Sequence, residues 1–226
     1  MPNVVSLNAR HAGVKTPRRS FLAVKRVLDV VFSLILLIVL LPIELAVAVV
    51  SAIDTKSSPL FIQTRMGRNN RPFKCLKFRT MSADAPQNVA TRDLEAQKYI
   101  SRTGGILRKL SLDELPQLWN ILKGDMSFVG PRPIVLTEEE LLRLRRLHGA
   151  DTVRPGLTGW AQIHGRDNVR VAQKAFMDGY YARHATFVMD LKILVKTVKY
   201  VLTSEGVVEG HSTPAPVAVE NRRTAS

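Results

Sequence analysis

Between Val30 and Ile53 the chain runs for twenty-four residues interrupted only by Ser33, Pro42, Glu44 and Ser51. As a straight helix this segment is about 36 Å long, enough to cross a hydrocarbon core of about 30 Å. Two features oppose a crossing. Pro42 sits at its midpoint, where it removes a backbone hydrogen bond, and Glu44 then lies near the bilayer centre, where a carboxyl is costly. Both flanks are also cationic, with Lys25 and Arg26 before the segment and Lys56, Arg65, Arg68 and Arg71 after it. The positive-inside bias therefore puts both ends on one side. The reading preferred here is a re-entrant helical hairpin broken at Pro42, each half about 18 Å long and dipping into one leaflet. A straight transmembrane helix and a buried core helix are the alternatives. The segment begins too late and is too long for a signal peptide, and no small-residue cleavage site follows it.

With 226 residues and 46% hydrophobic side chains the chain can bury a core, which excludes wholesale disorder. A single cysteine, Cys75, excludes an internal disulfide and any multi-cysteine metal site. The formal charge of +14 is lopsided: residues 1–82 hold 13 Lys and Arg against 3 Asp and Glu. Such a surface seeks polyanions, whether nucleic acid, anionic lipid or a phosphorylated substrate.

Beyond the apolar segment, residues 60–66 and 71–78 flank the turn-like Gly67-Arg-Asn-Asn70 and predict a short β-hairpin. Residues 82–105 are polar and weakly helical, and the Gly104-Gly105 pair is expected to stop the element. Residues 138–148 predict a helix with Leu141, Leu144 and Leu147 near one face. In residues 190–202, Leu191, Leu194, Val195, Val198 and Leu202 line one side, and Lys192, Lys196 and Lys199 another. Such a helix suits an anionic membrane interface, or equally the surface of a soluble core. Residues 1–17 and those beyond Ser204 carry no lasting period and read as disordered tails.

Residues 107–133 are dense in groups that phosphate chemistry uses. Asp113 and Glu114 can hold a divalent cation or serve as nucleophile and partner, and Arg108, Lys109, Lys123 and Arg132 can bind phosphoryl oxygens. The same acids also fit a capping box running from Ser111 to Glu114, with Pro116 in the first helical turn. Arg132 between Pro131 and Pro133 is held rigidly for oxyanion recognition or is merely part of a stiff connector. Arg154 and Arg166 bracket a glycine-rich strip whose amides can approach a phosphate. His164, without an evident partner, reads as structural.

Six blocks occur in order: residues 25–42, 61–67, 77–81, 112–133 (LDELPQLWNILKGDMSFVGPRP), 154–166 (RPGLTGWAQIHGR) and 190–198. Together they resemble the bacterial sugar transferases of the monotopic polyprenyl-phosphate phosphoglycosyl transferase family, in the minimal catalytic form, over residues 25–202. The resemblance implies a mainly α fold with a small β-hairpin, and a re-entrant membrane helix broken at Pro42. It also implies a catalytic domain on the cytosolic face with interfacial amphipathic helices. The chain then divides into a basic tail (1–24), the membrane helix (25–55), the catalytic domain (56–204) and a C-terminal tail (205–226). The implied reaction moves a hexose 1-phosphate, galactose or glucose being expected, from a UDP-sugar to undecaprenyl phosphate with release of UMP. It initiates exopolysaccharide or other surface-glycan synthesis at the bacterial inner membrane.

By the same motif matching Asp113 is the nucleophile of a ping-pong mechanism, with Mg2+ held by Asp113 and Glu114. Lys77, Arg79, Arg108, Arg132, Arg154 and Arg166 form the anion-binding set, and Arg26 with Asp29 sits where the helix enters the membrane. The expected partners are the UDP-sugar, undecaprenyl phosphate and anionic lipids but no nucleic acid; a homodimer is left open. The chain departs from the family pattern at His164, where asparagine is common, at Ser58, where glycine is usual, and at Glu44, unusually polar for a buried half-helix. The rival readings are a membrane-tethered binding module without catalysis, supported only by charge, and a lipid phosphatase.

Overall fold

The structure is a computed structural model that describes residues 17–86, 98–165 and 169–203. Residues 1–16 of the expected N-terminal tail, the whole C-terminal tail and Arg166 lie outside the described residues. Helix α1 runs from Arg19 to Thr55 as a single element, so it takes in the end of the basic segment and continues helical through Pro42 without a connecting loop. Its buried residues are Asp29, Ser33, Leu37, Val47, Ser51 and Thr55. Asp29 and Val47 are eighteen residues apart, five turns of 3.6, so both groups of three fall on one face. The other faces expose Val27, Phe32, Ile38, Val39, Leu45 and Ile53. An apolar surface of this extent is not left to water by a soluble protein.

The expected hairpin is present: β1 (Leu60–Met66) and β2 (Pro72–Phe78) pair antiparallel from Leu60↔Phe78 to Met66↔Pro72. Asn69 and Asn70 take the left-handed conformation that the reversal requires, each at φ 55°. Helix α2 (Arg102–Lys109) contains the Gly104-Gly105 pair, which therefore opens a helix instead of stopping one. Ser101 caps it by accepting the Gly104 N–H at 3.0 Å. A Cβ at Gly104 would sit 2.2 Å from the Thr80 carbonyl oxygen, so close approach of two backbones demands glycine there.

Helix α3 (Gln117–Lys123) leads through the left-handed Gly124 into β3 (Ser127–Val129). Strand β3 pairs in parallel with β4 (Gly156–Thr158), a second small sheet with no signal in the sequence. Between them lies α4 (Glu139–His148), whose buried residues are Leu141, Leu142 and Arg145; Leu147, expected on the packed face, is 68% exposed. Helices α5 (Val171–His184) and α6 (Phe187–Thr203) close the domain.

The core is divided among several clusters, two of which reach into α1. Leu37 packs with Cys75, Leu118, Ile121 and Met126, and Val47 with Phe78 and Leu107. Polar contacts fix both ends of α1 to the same domain. Arg26 donates to the Ile121 and Leu122 carbonyls at 2.5 and 2.7 Å, and Lys25 pairs with Asp190 at 2.5 Å. Asp29 accepts from the Ser127 hydroxyl and the Phe128 N–H, each at 3.1 Å. At the far end, Ser51 donates to the Arg79 carbonyl at 2.7 Å and Thr103 to Asp54.

Candidate active site

Asp113 and Glu114 occupy a 3-10 turn (Leu112–Glu114) between α2 and α3. Ser111 precedes it in the left-handed region at φ 57° and its side chain caps nothing, so the capping box is not formed. The acids are freed from a helix-starting role. Leu112 and Leu115 anchor the turn by packing against the Val47, Phe78 and Leu107 cluster. Asn120, wholly buried, pins α3 to β2 by accepting the Leu76 N–H at 3.0 Å and donating to the Lys74 carbonyl at 2.7 Å. That register delivers Lys77 to the dyad.

One oxygen of Glu114, Oε1, is clamped by two cations, Lys77 Nζ at 2.6 Å and Arg132 at 2.8 Å. Burial alone would raise the Glu114 pKa, but the Arg132 and Lys77 charges and hydrogen bonds outweigh it and hold the carboxyl well below the usual range. Asp113 differs. Burial pushes its pKa up, Lys77 opposes that shift, and the Glu114 charge adds to it. The residue is only 7% exposed, and its carboxylate accepts no hydrogen bond from the described residues. The site thus pairs a locked carboxylate with an untethered one. Asp113 and Glu114 are the residues that could hold a divalent cation, since carboxylate oxygens are hard donors that suit Mg2+ shared with substrate phosphates.

The other expected anion-binding residues separate. Arg108 lies within electrostatic reach of Asp113 and is steadied by Thr80 Oγ1 at 2.9 Å. Arg79 turns away, donating to the Ser58 carbonyl at 3.0 Å and lying over Phe61. Arg154 is at the opposite end of α3, donating to the Gly124 carbonyl at 2.9 Å. Arg26 and Asp29 serve to dock α1, as described above.

Three residues behind the site escaped the sequence reading. Arg65 donates to the Pro133 carbonyl at 2.6 Å and Arg145 to the Arg132 carbonyl at 2.8 Å. Arg145 is in turn held by Asp178, at 2.8 Å through Nε, with both side chains buried. A buried arginine and a half-buried one thus grip successive carbonyls of the Arg132-Pro133 segment. The only local hint is an arginine on the packed side of α4; its partners come from sequence-distant elements. Asp178→Asn is expected to lower stability by about 1–2 kcal/mol, since the Arg145 charge loses its counter-ion but keeps an acceptor. Chemical denaturation checks this, and an unchanged midpoint would remove the pair from the frame.

The site is thus an adjacent pair of carboxyls with Lys77 and Arg132 held against one of them, in a domain packed along a long, largely exposed apolar helix. Residues 20–204 match the family model described as bacterial sugar transferase, and the chain belongs to that family. It is 40% identical over 185 residues to an uncharacterized sugar transferase, EpsL, of Bacillus subtilis, covering 81% of this chain and 89% of that one. A UDP-N-acetylgalactosamine-undecaprenyl-phosphate N-acetylgalactosaminephosphotransferase of Aeromonas hydrophila is 34% identical over 210 residues, 88% of this chain and 48% of that protein. An undecaprenyl-phosphate galactose phosphotransferase of Salmonella typhimurium is 36% identical over 208 residues, 84% of this chain and 42% of that protein. The chain thus spans most of the first relative's length and less than half of the other two.

Proposed function

We propose that this chain transfers a hexose 1-phosphate from a UDP-sugar to undecaprenyl phosphate, releasing UMP, in two displacements through Asp113. One observation carries the reading: a buried carboxylate with no hydrogen-bond partner among the described residues stands next in the chain to a second carboxylate clamped by Lys77 and Arg132. In the first displacement an Asp113 oxygen attacks the sugar-bearing phosphorus, and the bond to UMP breaks with UMP keeping the electron pair. In the second an oxygen of undecaprenyl phosphate attacks the same phosphorus and expels the Asp113 carboxylate. Arg132 and Lys77, already held against Glu114, and Arg108 stabilise charge on the phosphoryl oxygens without having to reorganise. Mg2+, bound by Asp113 and Glu114, would supply further neutralisation of the diphosphate. Because the sugar phosphate is parked on the protein, donor and acceptor never need the site together. A panel of UDP-sugars assayed with undecaprenyl phosphate and Mg2+ for UMP release tests this directly. Absence of UMP with every donor would overturn it.

The reading places α1 as a re-entrant helix and the domain at the cytoplasmic face of the inner membrane. Support comes from the two ends of α1. Asp29 and Ser51 are about 33 Å apart along a straight helix, yet both hydrogen-bond to the same domain. A helix that crossed the bilayer would have to part from that domain at one end. Helix α6 supports an interfacial position in a second way. Its inward residues are Met189, Asp190 and Ile193, while Val188, Leu191, Val195 and Val198 are exposed with Lys192, Lys196 and Lys199 on the flank. The apolar stripe therefore faces away from the core, which the soluble-helix alternative does not explain. Reversing all three lysines to glutamate is expected to weaken binding to anionic vesicles by about a hundredfold or more, at about 1 kcal/mol for each basic side chain lost. Unchanged sedimentation with the vesicles would mean that α6 lies elsewhere. Charge alone favoured a non-catalytic binding module, and that reading leaves the buried dyad without a role.

A further inference from the structure

A second group of cations gathers at the other end of α3. Arg154 Nε donates to the Gly124 carbonyl at 2.9 Å and Arg68 Nε to the Thr152 carbonyl at 2.8 Å. Each guanidinium spends one nitrogen on a backbone anchor, and the outer two nitrogens of both have no hydrogen-bond or ion-pair partner among the described residues. Arg26 stands behind them, its guanidinium 3.2 Å from where a Cβ on Gly124 would be. Arg68 and Arg154 line one small cavity together with Lys25, Asp29, Phe21 and Leu22 of α1. The two other charged groups there are already engaged, Lys25 with Asp190 and Asp29 with Ser127 and Phe128. Burial, and then the neighbouring Arg154 charge, push the Arg68 pKa down. Like charges gathered in a partly desolvated place repel, and an anion between them relieves the cost.

Planar guanidinium forks with free N–H pairs match phosphate oxygens in a bidentate manner. The apolar wall identifies what carries the phosphate. Phe21 and Leu22 belong to the first turns of α1, and Val24, Val27 and Leu28 just beyond them are exposed apolar side chains. This phosphate is not the reacting one, because the seven residues of α3 put about 10 Å between the arginines and the turn bearing Asp113. We propose that Arg68 and Arg154, with Arg26 behind them, form a second phosphate site that holds the headgroup of an anionic membrane lipid where α1 enters the bilayer. The proposal deepens the interfacial reading above. It would fix the depth of the domain by a specific contact in addition to the apolar surface of α1.

The test is thermal stabilisation of the full-length protein by a short-chain phosphatidylglycerol below its micelle concentration, with diacylglycerol of the same chain length, inorganic phosphate and UMP as further probes. The wild type is expected to be stabilised by the phospholipid and not by diacylglycerol. Arg68→Gln/Arg154→Gln is expected to bind the phospholipid about tenfold more weakly, since each basic side chain near the surface contributes about one lipid-charge contact. If the double variant does not fold, Arg68→Gln alone is read the same way, with about threefold weakening expected. Equal affinity in wild type and variant, or equal stabilisation by diacylglycerol, overturns the site. Stabilisation by UMP or inorganic phosphate through the same arginines, as strong as that by the phospholipid, overturns the lipid assignment. UMP release by the wild type is scored separately, so lipid binding without turnover would sink the proposed reaction and leave this site standing.

Discussion

Asp113→Asn is expected to reduce UMP release by at least on the order of 10³-fold while leaving fold and membrane binding as they are. The substitution keeps the size of the side chain and removes its ability to form an acyl phosphate. Because Asp113 accepts no hydrogen bond from the described residues, the change breaks no contact in the frame. It also takes one charge out of a buried place, so thermal stability is expected to hold or rise slightly. Intact-mass measurement after incubation with donor alone is expected to show a phosphosugar adduct on the wild type and none on the variant. Transfer by the variant at wild-type rates would remove Asp113 from the nucleophilic role, and so would product formation by the wild type with no adduct at any time.

Arg132→Ala is expected to lower kcat/KM by about 10²-fold to 10³-fold. Two losses combine. The guanidinium that the proposed reaction uses against the phosphoryl oxygens is gone, and Glu114 keeps Lys77 as its only contacting cation among the described residues. Both carboxyls of the dyad then titrate in a less positive setting, so donor binding weakens together with chemistry. Arg132→Lys retains a charge but not the fork, and is expected to recover only part of the loss. Rates for Arg132→Ala within a factor of two of wild type would make Gly130-Pro-Arg-Pro133 the stiff connector of the alternative reading. That connector has a structural reason of its own, since Arg65 and Arg145 hold the Pro133 and Arg132 carbonyls from behind.

What could be read from the residues alone was whatever depends on short-range pattern. The β-compatible runs of residues 60–66 and 71–78 on either side of a turn-like Gly-Arg-Asn-Asn stretch pointed to the hairpin, and the leucine, valine and lysine spacing of residues 190–202 marked α6. Local pattern also misled where a distant partner decided the outcome. The Ser111 capping box failed because the chain reverses there through a left-handed residue. Gly104 opens a helix because the Thr80 carbonyl lies against it. Leu147 points to water although it shares a helical spacing with Leu141, because the core meets α4 along Leu141, Leu142 and Arg145.

The candidate site divides the same way. Adjacent acids, and an arginine between two prolines, were legible because each is a local motif. Which cations serve them was not, since a charge acts over a few ångströms of space and spacing along the chain says little about that. Lys77 reaches Glu114 across thirty-seven residues because Asn120 pins α3 to β2. Arg154 and Arg79, which look equivalent in the sequence, are carried off to other carbonyls. The sequence by itself therefore determined that a long apolar helix precedes a cationic domain bearing an acidic pair, because hydropathy and charge are properties of residues. Only the tertiary structure decided which carboxylate is clamped and which accepts no hydrogen bond from the described residues, because burial and hydrogen bonding belong to the packed arrangement of several elements.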